Sequence, residues 1–194
     1  GWQAETLLDK GIDGIWNDMN EPAVFAEKTF TRDFPADAVH HDFGLQSRHE
    51  AVHNIYGFTM AQASADGQRR FRPNGRPFTL TRSGWAGIQR NAAVWTGDNQ
   101  SSFASMRMDI QLNLSMAMSG VPFVGCDIGG FGSNASPELY ARWMEWGVFQ
   151  AFCRTHSALH TLDHEPWVHG SDVEQICRKM IELRYRFLPY LYTR

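Results

Sequence analysis

Two aspartates, each just after a short apolar run that ends in tryptophan, are the first candidates for chemistry in this sequence. Asp18 follows residues 12–16 and Asp98 follows residues 92–95. Aromatic rings pack on the apolar C–H faces of a pyranose, and carboxylates hold its hydroxyls. Hydrolysis of a glycosidic bond requires two carboxyl groups, one to protonate the leaving oxygen and one to attack or stabilise the anomeric carbon. The pattern therefore favours a sugar-cleaving site.

Ionisable residues also follow the other predicted strands, which are the short apolar runs 77–81, 121–124 and 149–153. Such runs are typical of parallel strands buried on both faces. In a (β/α)8 barrel the carboxyl ends of all strands meet at one catalytic face, whereas an open doubly wound sheet gathers its site around one crevice. Five contributing strands favour the α/β barrel. The residues at the five strand ends are Asp18, Glu21, Arg82, Asp98, Asp127, Arg154 and His156.

The length of the chain is short for a complete barrel. A (β/α)8 barrel takes about 250 residues, and this chain has 194. Its first residues are typical of the end of a helix, and its last residues lie inside a helical pattern. We therefore expect residues 1–194 to be one partial barrel domain, a fragment of a longer chain that supplies roughly strands 4 to 8 with their helices. Its partner would be the remainder of the same barrel.

Helices are predicted between the strands from apolar residues spaced by three or four. Residues 103–117 form one such stripe, and we expect the methionines at 106, 108, 116 and 118 to fill the core. Ser136 followed by Pro137 predicts a helix start, and Ser171 with Glu174 has the spacing of a capping box. Residues 29–43 lack either periodicity, which predicts a loop.

Composition excludes several classes of protein. The net charge of −3, from 18 Lys+Arg against 21 Asp+Glu, argues against a nucleic acid or an anionic membrane as partner. No apolar run approaches the roughly 18 residues of a membrane helix. The three cysteines form no C-x-x-C pair, and their odd number favours a reducing compartment such as the cytoplasm.

Several of these segments together resemble glycoside hydrolase family 31, the α-glucosidase family. Residues 16–22, with the sequence WNDMNEP, resemble the nucleophile signature of that family. The later segments resemble it in the right order: TRS at 81–83, VWTGDN at 94–99, FVGCDIGGF at 123–131 and FCRTH at 152–156. The resemblance covers almost the whole chain.

This resemblance implies a role for each matching residue. Asp18 would be the nucleophile and Asp98 the general acid/base of a retaining, exo-acting α-glucosidase that forms a covalent glycosyl-enzyme ester. The two carboxyl groups would then lie roughly 5–5.5 Å apart. The substrate would be an α-glucoside or malto-oligosaccharide, with no metal and no organic cofactor. The substrate-binding residues would be Trp16, Met19, Arg82, Trp95, Asp127, Phe131, Arg154 and His156.

Other interpretations remain open at this point. Glu21 could be a further catalytic carboxylate or, in a more modest role, an orienting residue. The parent protein could bind carbohydrate without turnover, or transfer glucose to sugar acceptors instead of water. His49, Glu50 and His53 form a literal H-E-x-x-H zinc-protease motif, although no third ligand stands at the expected spacing. The glycines between 125 and 132 could cradle phosphate, but no Gly-Lys-Ser/Thr follows, and a sharp loop turn is the simpler role.

Overall fold

The computed structural model describes residues 6–24, 34–42 and 45–193, and the chain divides into two compact units, Gly1–Val94 and Trp95–Arg194. No helix within those described ranges is long and apolar enough to cross a membrane. The strands are β1 (Ile15–Asn17), β2 (Val39–Asp42), β3 (Leu45–Arg48), β4 (Thr79–Thr81), β5 (Ala93–Trp95), β6 (Val124–Gly125), β7 (Asp127–Ile128) and β8 (Arg154–Thr155). The helices are α1 (His49–Phe71), α2 (Phe103–Met118), α3 (Pro137–Gly147) and α4 (Ser171–Thr193), with a 3₁₀ turn at Ile88–Arg90.

Parallel strands form the central sheet of the first unit. β1 pairs with β4 through Trp16 and Leu80, and β4 pairs with β5 through Thr81 and Val94. All three residues of β4 are buried, as expected for a parallel strand covered on both faces. The three strands predicted in this part of the chain are present, but each begins later than its apolar run.

Helix α1 lies against this sheet and was not predicted. Its buried side includes Gly57, Ala61 and Ala65, so the helix carries no large apolar stripe for periodicity to detect. Gly57 approaches the neighbouring chain so closely that a Cβ there would lie 2.6 Å from the hydroxyl of Ser83. Small residues are therefore required along this contact.

The predicted loop at residues 29–43 is wrong at its end, because residues 39–42 form β2, which pairs antiparallel with β3. The segments VHHD and LQSR are polar, so no apolar alternation marked them as strands. Residues 29–33 and 43 lie outside the described residues.

Helices α3 and α4 enclose the core of the second unit. Ile128, Tyr140 and Trp143 are completely buried in this core. The predicted start of α3 is confirmed, since the Ser136 hydroxyl accepts a hydrogen bond from the Leu139 N–H at 3.2 Å and Pro137 occupies the first turn. β7 pairs in parallel with β8.

The strand predicted at residues 149–153 is wrong, because the strand is β8 at 154–155. The guanidinium of Arg184, on α4, donates to the carbonyls of Val148 and Gln150, both at 2.6 Å, and to that of Ala151 at 3.0 Å. These carbonyls are therefore bound to a side chain rather than to a neighbouring strand.

Helix α2 (Phe103–Met118) covers the predicted stripe at 103–117 but buries a different face. Its buried residues are Ser105, Asp109 and Asn113, whereas Leu114 is 62% and Met118 88% exposed. Met106 packs against the core as expected, but the expectation is wrong for Met108 and Met118, which are exposed. The polar face is buried because Asp109 accepts hydrogen bonds from the loop that follows β5.

Candidate active site

The carboxyl ends of β1 and β4 bring an aspartate and an arginine together in the first unit. Asp18 follows β1 directly, and its side chain is 40% exposed. Its Oδ1 lies 3.1 Å from Nη1 of Arg82, which follows β4, and accepts a hydrogen bond from the Met19 N–H at 2.8 Å. Met19 has a φ of 55°, a left-handed conformation that turns the chain just after Asp18. The cation and the N–H donor stabilise negative charge on Asp18.

Glu21 holds the other edge of the same guanidinium. Arg82 donates from Nε to Oε1 at 2.7 Å and from Nη2 to Oε2 at 3.1 Å. Partial burial acts to raise the pKa of Glu21, but the hydrogen bonding of Arg82, a backbone hydrogen bond and the charge of Arg82 together outweigh it, and the pKa is lowered. A carboxylate used on both oxygens by one arginine fits an orienting role better than a catalytic one.

Buried Asn20 fastens the loops after β1 and β4 to each other. Its side-chain N–H donates to the Thr81 hydroxyl at 2.8 Å, and its carbonyl accepts from the Ser83 N–H at 3.0 Å. The relative position of Asp18 and Arg82 is thus fixed by the hydrogen bonds of Asn20 as well as by their own contact.

In the second unit, Asp127 and Arg154 form a buried ion pair across β7 and β8. Asp127 is completely buried, and Arg154 donates to its Oδ1 at 2.5 Å. Burial raises the pKa of Asp127 to about 6; Arg154 opposes that rise, while the charges of Asp98 and Asp109 add to it. The other oxygen, Oδ2, is buried and has no hydrogen-bond partner among the described residues. It is thus a buried acceptor whose hydrogen-bonding capacity is not used by the described residues.

Aromatic rings lie in the same unit as this ion pair. The guanidinium of Arg154 lies 5.6 Å from the centre of the buried Trp95 ring. Phe131 stacks on His156 with ring centres 5.4 Å apart. These rings and charges suit the apolar faces and hydroxyls of a sugar. In the first unit, Trp16 lies on β1 and is 46% exposed.

Asp98 is an exposed residue in the loop after β5. It follows Gly97, whose φ of 81° turns the chain. Of the predicted site residues, the first unit thus groups Asp18 with Arg82, Trp16 and Met19. The second unit groups Asp98 and Asp127 with Trp95, Phe131, Arg154 and His156.

Two residues of the second unit, Asp109 and Asn99, have roles that the sequence motifs do not predict. Asp109 accepts from the hydroxyl of Thr96 and the amide of Asn99. A signal was present, because Ser105, Asp109 and Asn113 repeat every four residues in a helix whose other residues are mostly apolar. Polar residues at that spacing share one face of a helix.

The H-E-x-x-H residues open α1. The rings of His49 and His53 are 5.1 Å apart, and Nδ1 of His49 lies 2.9 Å from Nε2 of His40. Glu50 is exposed and lies 3.8 Å from Arg48. Within the described parts of the chain no three His, Cys, Asp or Glu residues form a group that could hold a metal ion.

The glycines between 125 and 132 allow close backbone approach. A Cβ on Gly125 would clash with the carbonyl oxygen of Phe152. Gly130 has a φ of 89°, and a Cβ there would lie 2.4 Å from the Ser101 nitrogen. These contacts favour the loop-turning role over phosphate binding.

Comparison with known proteins gives one consistent result. The family model described as the glycosyl hydrolases family 31 TIM-barrel domain matches residues 1–194. Alpha-glucosidase 2 of Bacillus thermoamyloliquefaciens is 45% identical over 193 residues, which are 100% of this chain and 24% of the relative. Neutral alpha-glucosidase C of Mus musculus is 42% identical over 180 residues, or 92% of this chain and 20% of the relative. The chain therefore spans about a quarter or less of the length of these relatives.

Solved structures agree. A family 31 alpha-glucosidase from Bacteroides thetaiotaomicron superposes with a TM-score of 0.80 at 42% identity, covering 95% of this chain and 29% of that one. A Flavobacterium johnsoniae dextranase complexed with glucose gives a TM-score of 0.87 at 35% identity, covering 99% of this chain and 24% of that one.

Proposed function

The chain belongs to glycoside hydrolase family 31, a TIM-barrel family, and on that premise we propose that it carries the catalytic residues of a retaining, exo-acting α-glucosidase. In the strand numbering of a complete (β/α)8 barrel, which differs from the labels β1–β8 used above, it forms roughly strands 4 to 8. The remainder of that barrel lies elsewhere in a longer protein. The substrate is a malto-oligosaccharide or another α-glucoside, from which terminal glucose is released. The names of the α-glucosidase relatives support this reaction, and their greater length supports the larger barrel.

The contact between Arg82 and Asp18 carries the proposal. Asp18, which contacts Arg82 at 3.1 Å and accepts a hydrogen bond from the Met19 N–H at 2.8 Å, attacks the anomeric carbon. The glycosidic bond breaks as Asp98 gives its proton to the leaving oxygen, and a glucosyl ester forms on Asp18. Asp98 then takes a proton from water, and the resulting hydroxide attacks the anomeric carbon, releasing glucose and regenerating the Asp18 carboxylate.

The remaining predicted residues hold the terminal glucose. Asp127, Arg82 and His156 bind its hydroxyls, and the Oδ2 of Asp127, which accepts no hydrogen bond from the described residues, supports this role. Arg154 holds the Asp127 side chain in place through their ion pair. Trp16, Met19, Trp95 and Phe131 line the pocket against the apolar faces of the ring.

Covalent trapping tests the nucleophile. The complete protein that contains this chain is treated with a fluorinated glucosyl trapping reagent, digested and analysed by mass spectrometry. We expect one glucosyl label on Asp18, and no label in the Asp18→Asn variant. The matched control is Asp13→Asn, because Asp13 is an exposed aspartate in the same segment and forms a surface ion pair with Arg72. This variant should be labelled normally.

A label on another residue would contradict the assignment of Asp18. Binding of maltose without cleavage or labelling of the wild-type protein would instead support the carbohydrate-binding alternative.

A further inference from the structure

A buried carboxylate on α2 holds both sides of the Asp98 loop. Asp109 is 2% exposed. Its Oδ1 accepts from the Thr96 hydroxyl at 3.0 Å, and its Oδ2 accepts from the Asn99 amide at 2.8 Å. Thr96 lies two residues before Asp98 and Asn99 one residue after it. The two oxygens of one side chain thus fix the chain on either side of the exposed aspartate.

Asn99 extends this attachment to the loop of Asp127. The same amide nitrogen donates to the Asp127 carbonyl at 3.0 Å, and the amide oxygen accepts from the Phe131 N–H at 2.8 Å. The backbone repeats the connection, because Gly132 N–H donates to the Asn99 carbonyl at 2.8 Å. Asp109 is therefore bonded to a residue that joins the Asp98 loop to the Asp127–Phe131 loop.

The burial of this carboxylate has a cost that an apolar residue would avoid. Burial raises the pKa of Asp109 although its hydrogen bonds with Asn99 and Thr96 act to lower it. Leu or Ala on this face of α2 would pack without desolvating a charge. What an apolar residue could not supply is two acceptors aimed at Thr96 and Asn99. Reacting groups must be held to within about 0.5 Å of their productive position, and packed hydrogen-bonded neighbours do this.

We propose that Asp109 is a positioning residue for acid catalysis, which holds Asp98 toward the leaving oxygen through its hydrogen bonds with Thr96 and Asn99. This inference rests on the proposed function, since it takes Asp98 as the proton donor. It assigns a reaction-specific role to a residue that does not touch the substrate.

The test compares two substrates in the complete protein. Maltose needs a proton on its leaving oxygen, whereas α-glucosyl fluoride departs without one, so the ratio of their kcat/KM values reports proton donation. We expect Asp109→Ala to lower kcat/KM for maltose by about 10- to 100-fold, the scale of a misplaced reacting group, and to lower that for the fluoride by less than about 3-fold. Asp109→Asn, which keeps one accepting oxygen, should recover part of the loss.

The control is Asn113→Ala. Asn113 is buried one turn later on the same face of α2, and its amide donates to the Asp109 carbonyl within the helix. The Asn113→Ala substitution should change kcat/KM for maltose and for α-glucosyl fluoride by the same factor. If Asp109→Ala does not fold, Thr96→Val removes one donor at nearly constant volume and decides the question by the same ratio.

Equal losses on the two substrates, or no loss, in Asp109→Ala or Thr96→Val would overturn the positioning role. A failure of the proposed function is recognised separately. In that case the wild-type protein does not cleave maltose, or Asp98→Ala lacks a maltose-selective loss.

Discussion

Nη1 of Arg82 lies 3.1 Å from Oδ1 of Asp18, and this contact joins the ends of two hydrogen-bonded parallel strands. The arginine cannot move away freely, because its other edge binds both oxygens of Glu21. The proposed nucleophile therefore faces a cation that is fixed in place before substrate arrives. Such preorganisation lowers the reorganisation that the reaction requires.

Arg82→Lys should lower kcat/KM for α-glucosides by about 10- to 100-fold, because an ammonium group cannot bind Glu21 in bidentate fashion and also reach Asp18. The rate of labelling of Asp18 by the trapping reagent measures the effect directly. The control is Arg72→Lys, which alters an exposed ion pair with Asp13 in the same unit and should change the rate by less than about 2-fold. Equal effects of the two substitutions would contradict the role of Arg82.

The pH profile of kcat/KM should show the ionisation of Asp127. Burial raises the pKa of its carboxyl to about 6, so Asp127 is protonated below that pH and ionised above it. Because the ionised form pairs with Arg154 and accepts a sugar hydroxyl, kcat/KM should rise with pH through about 6. Asp127→Asn should lower kcat/KM and remove this limb from the profile, whereas Asp172→Asn, at an exposed aspartate of α4, should leave it. A limb near 6 that persists in Asp127→Asn would show that another group titrates there.

Cys126 should be unreactive in the folded protein. Burial raises the pKa of its thiol to about 12, so at about pH 8 only about one molecule in 10⁴ carries the reactive thiolate. Alkylation with iodoacetamide, followed residue by residue with mass spectrometry, should leave Cys126 unmodified until denaturant is added. Cys153, which is only partly buried, is the internal comparison and should react first. Rapid alkylation of Cys126 in the native protein would contradict its burial.

Ser136 should stabilise the first turn of α3. Ser136→Ala removes the acceptor for the Leu139 N–H and should cost about 1 kcal/mol, whereas Ser136→Asp should retain the cap. Hydrogen exchange of the peptide containing Leu139 measures local opening in the complete protein. Ser115→Ala, at an exposed position inside α2, should leave exchange in its own helix within about 0.5 kcal/mol of the wild-type value. Unchanged exchange at Leu139 in Ser136→Ala would mean that the cap contributes nothing.

The protein should neither bind zinc at its H-E-x-x-H motif nor require zinc for activity. His49 already contacts His40 through Nδ1, and we expect glucosidase activity to survive a chelator and metal analysis to find no stoichiometric zinc. Zinc bound one to one in the wild-type protein and lost in His49→Ala would restore the metalloprotease interpretation.

The family, the fold class and the order of the strand-end residues could all be read from the sequence. Local patterns determine them, because short apolar runs predict buried parallel strands and ordered motifs such as WNDMNEP carry residue identity along the chain. The start of α3 was likewise predictable, since capping by Ser136 is a contact between residues three apart.

Only the tertiary structure decided how these residues are held. Arg82 donates hydrogen bonds to Glu21, which is 61 residues earlier in the chain. Arg184 donates to backbone carbonyls more than 30 residues away. No local sequence pattern could reveal either contact. The same is true of α2, whose buried face follows from partners in another loop rather than from its own apolar periodicity. Hydrophobic patterning reports which side chains avoid water, but a buried polar group is stabilised by distant donors and acceptors, and their positions exist only in the folded chain.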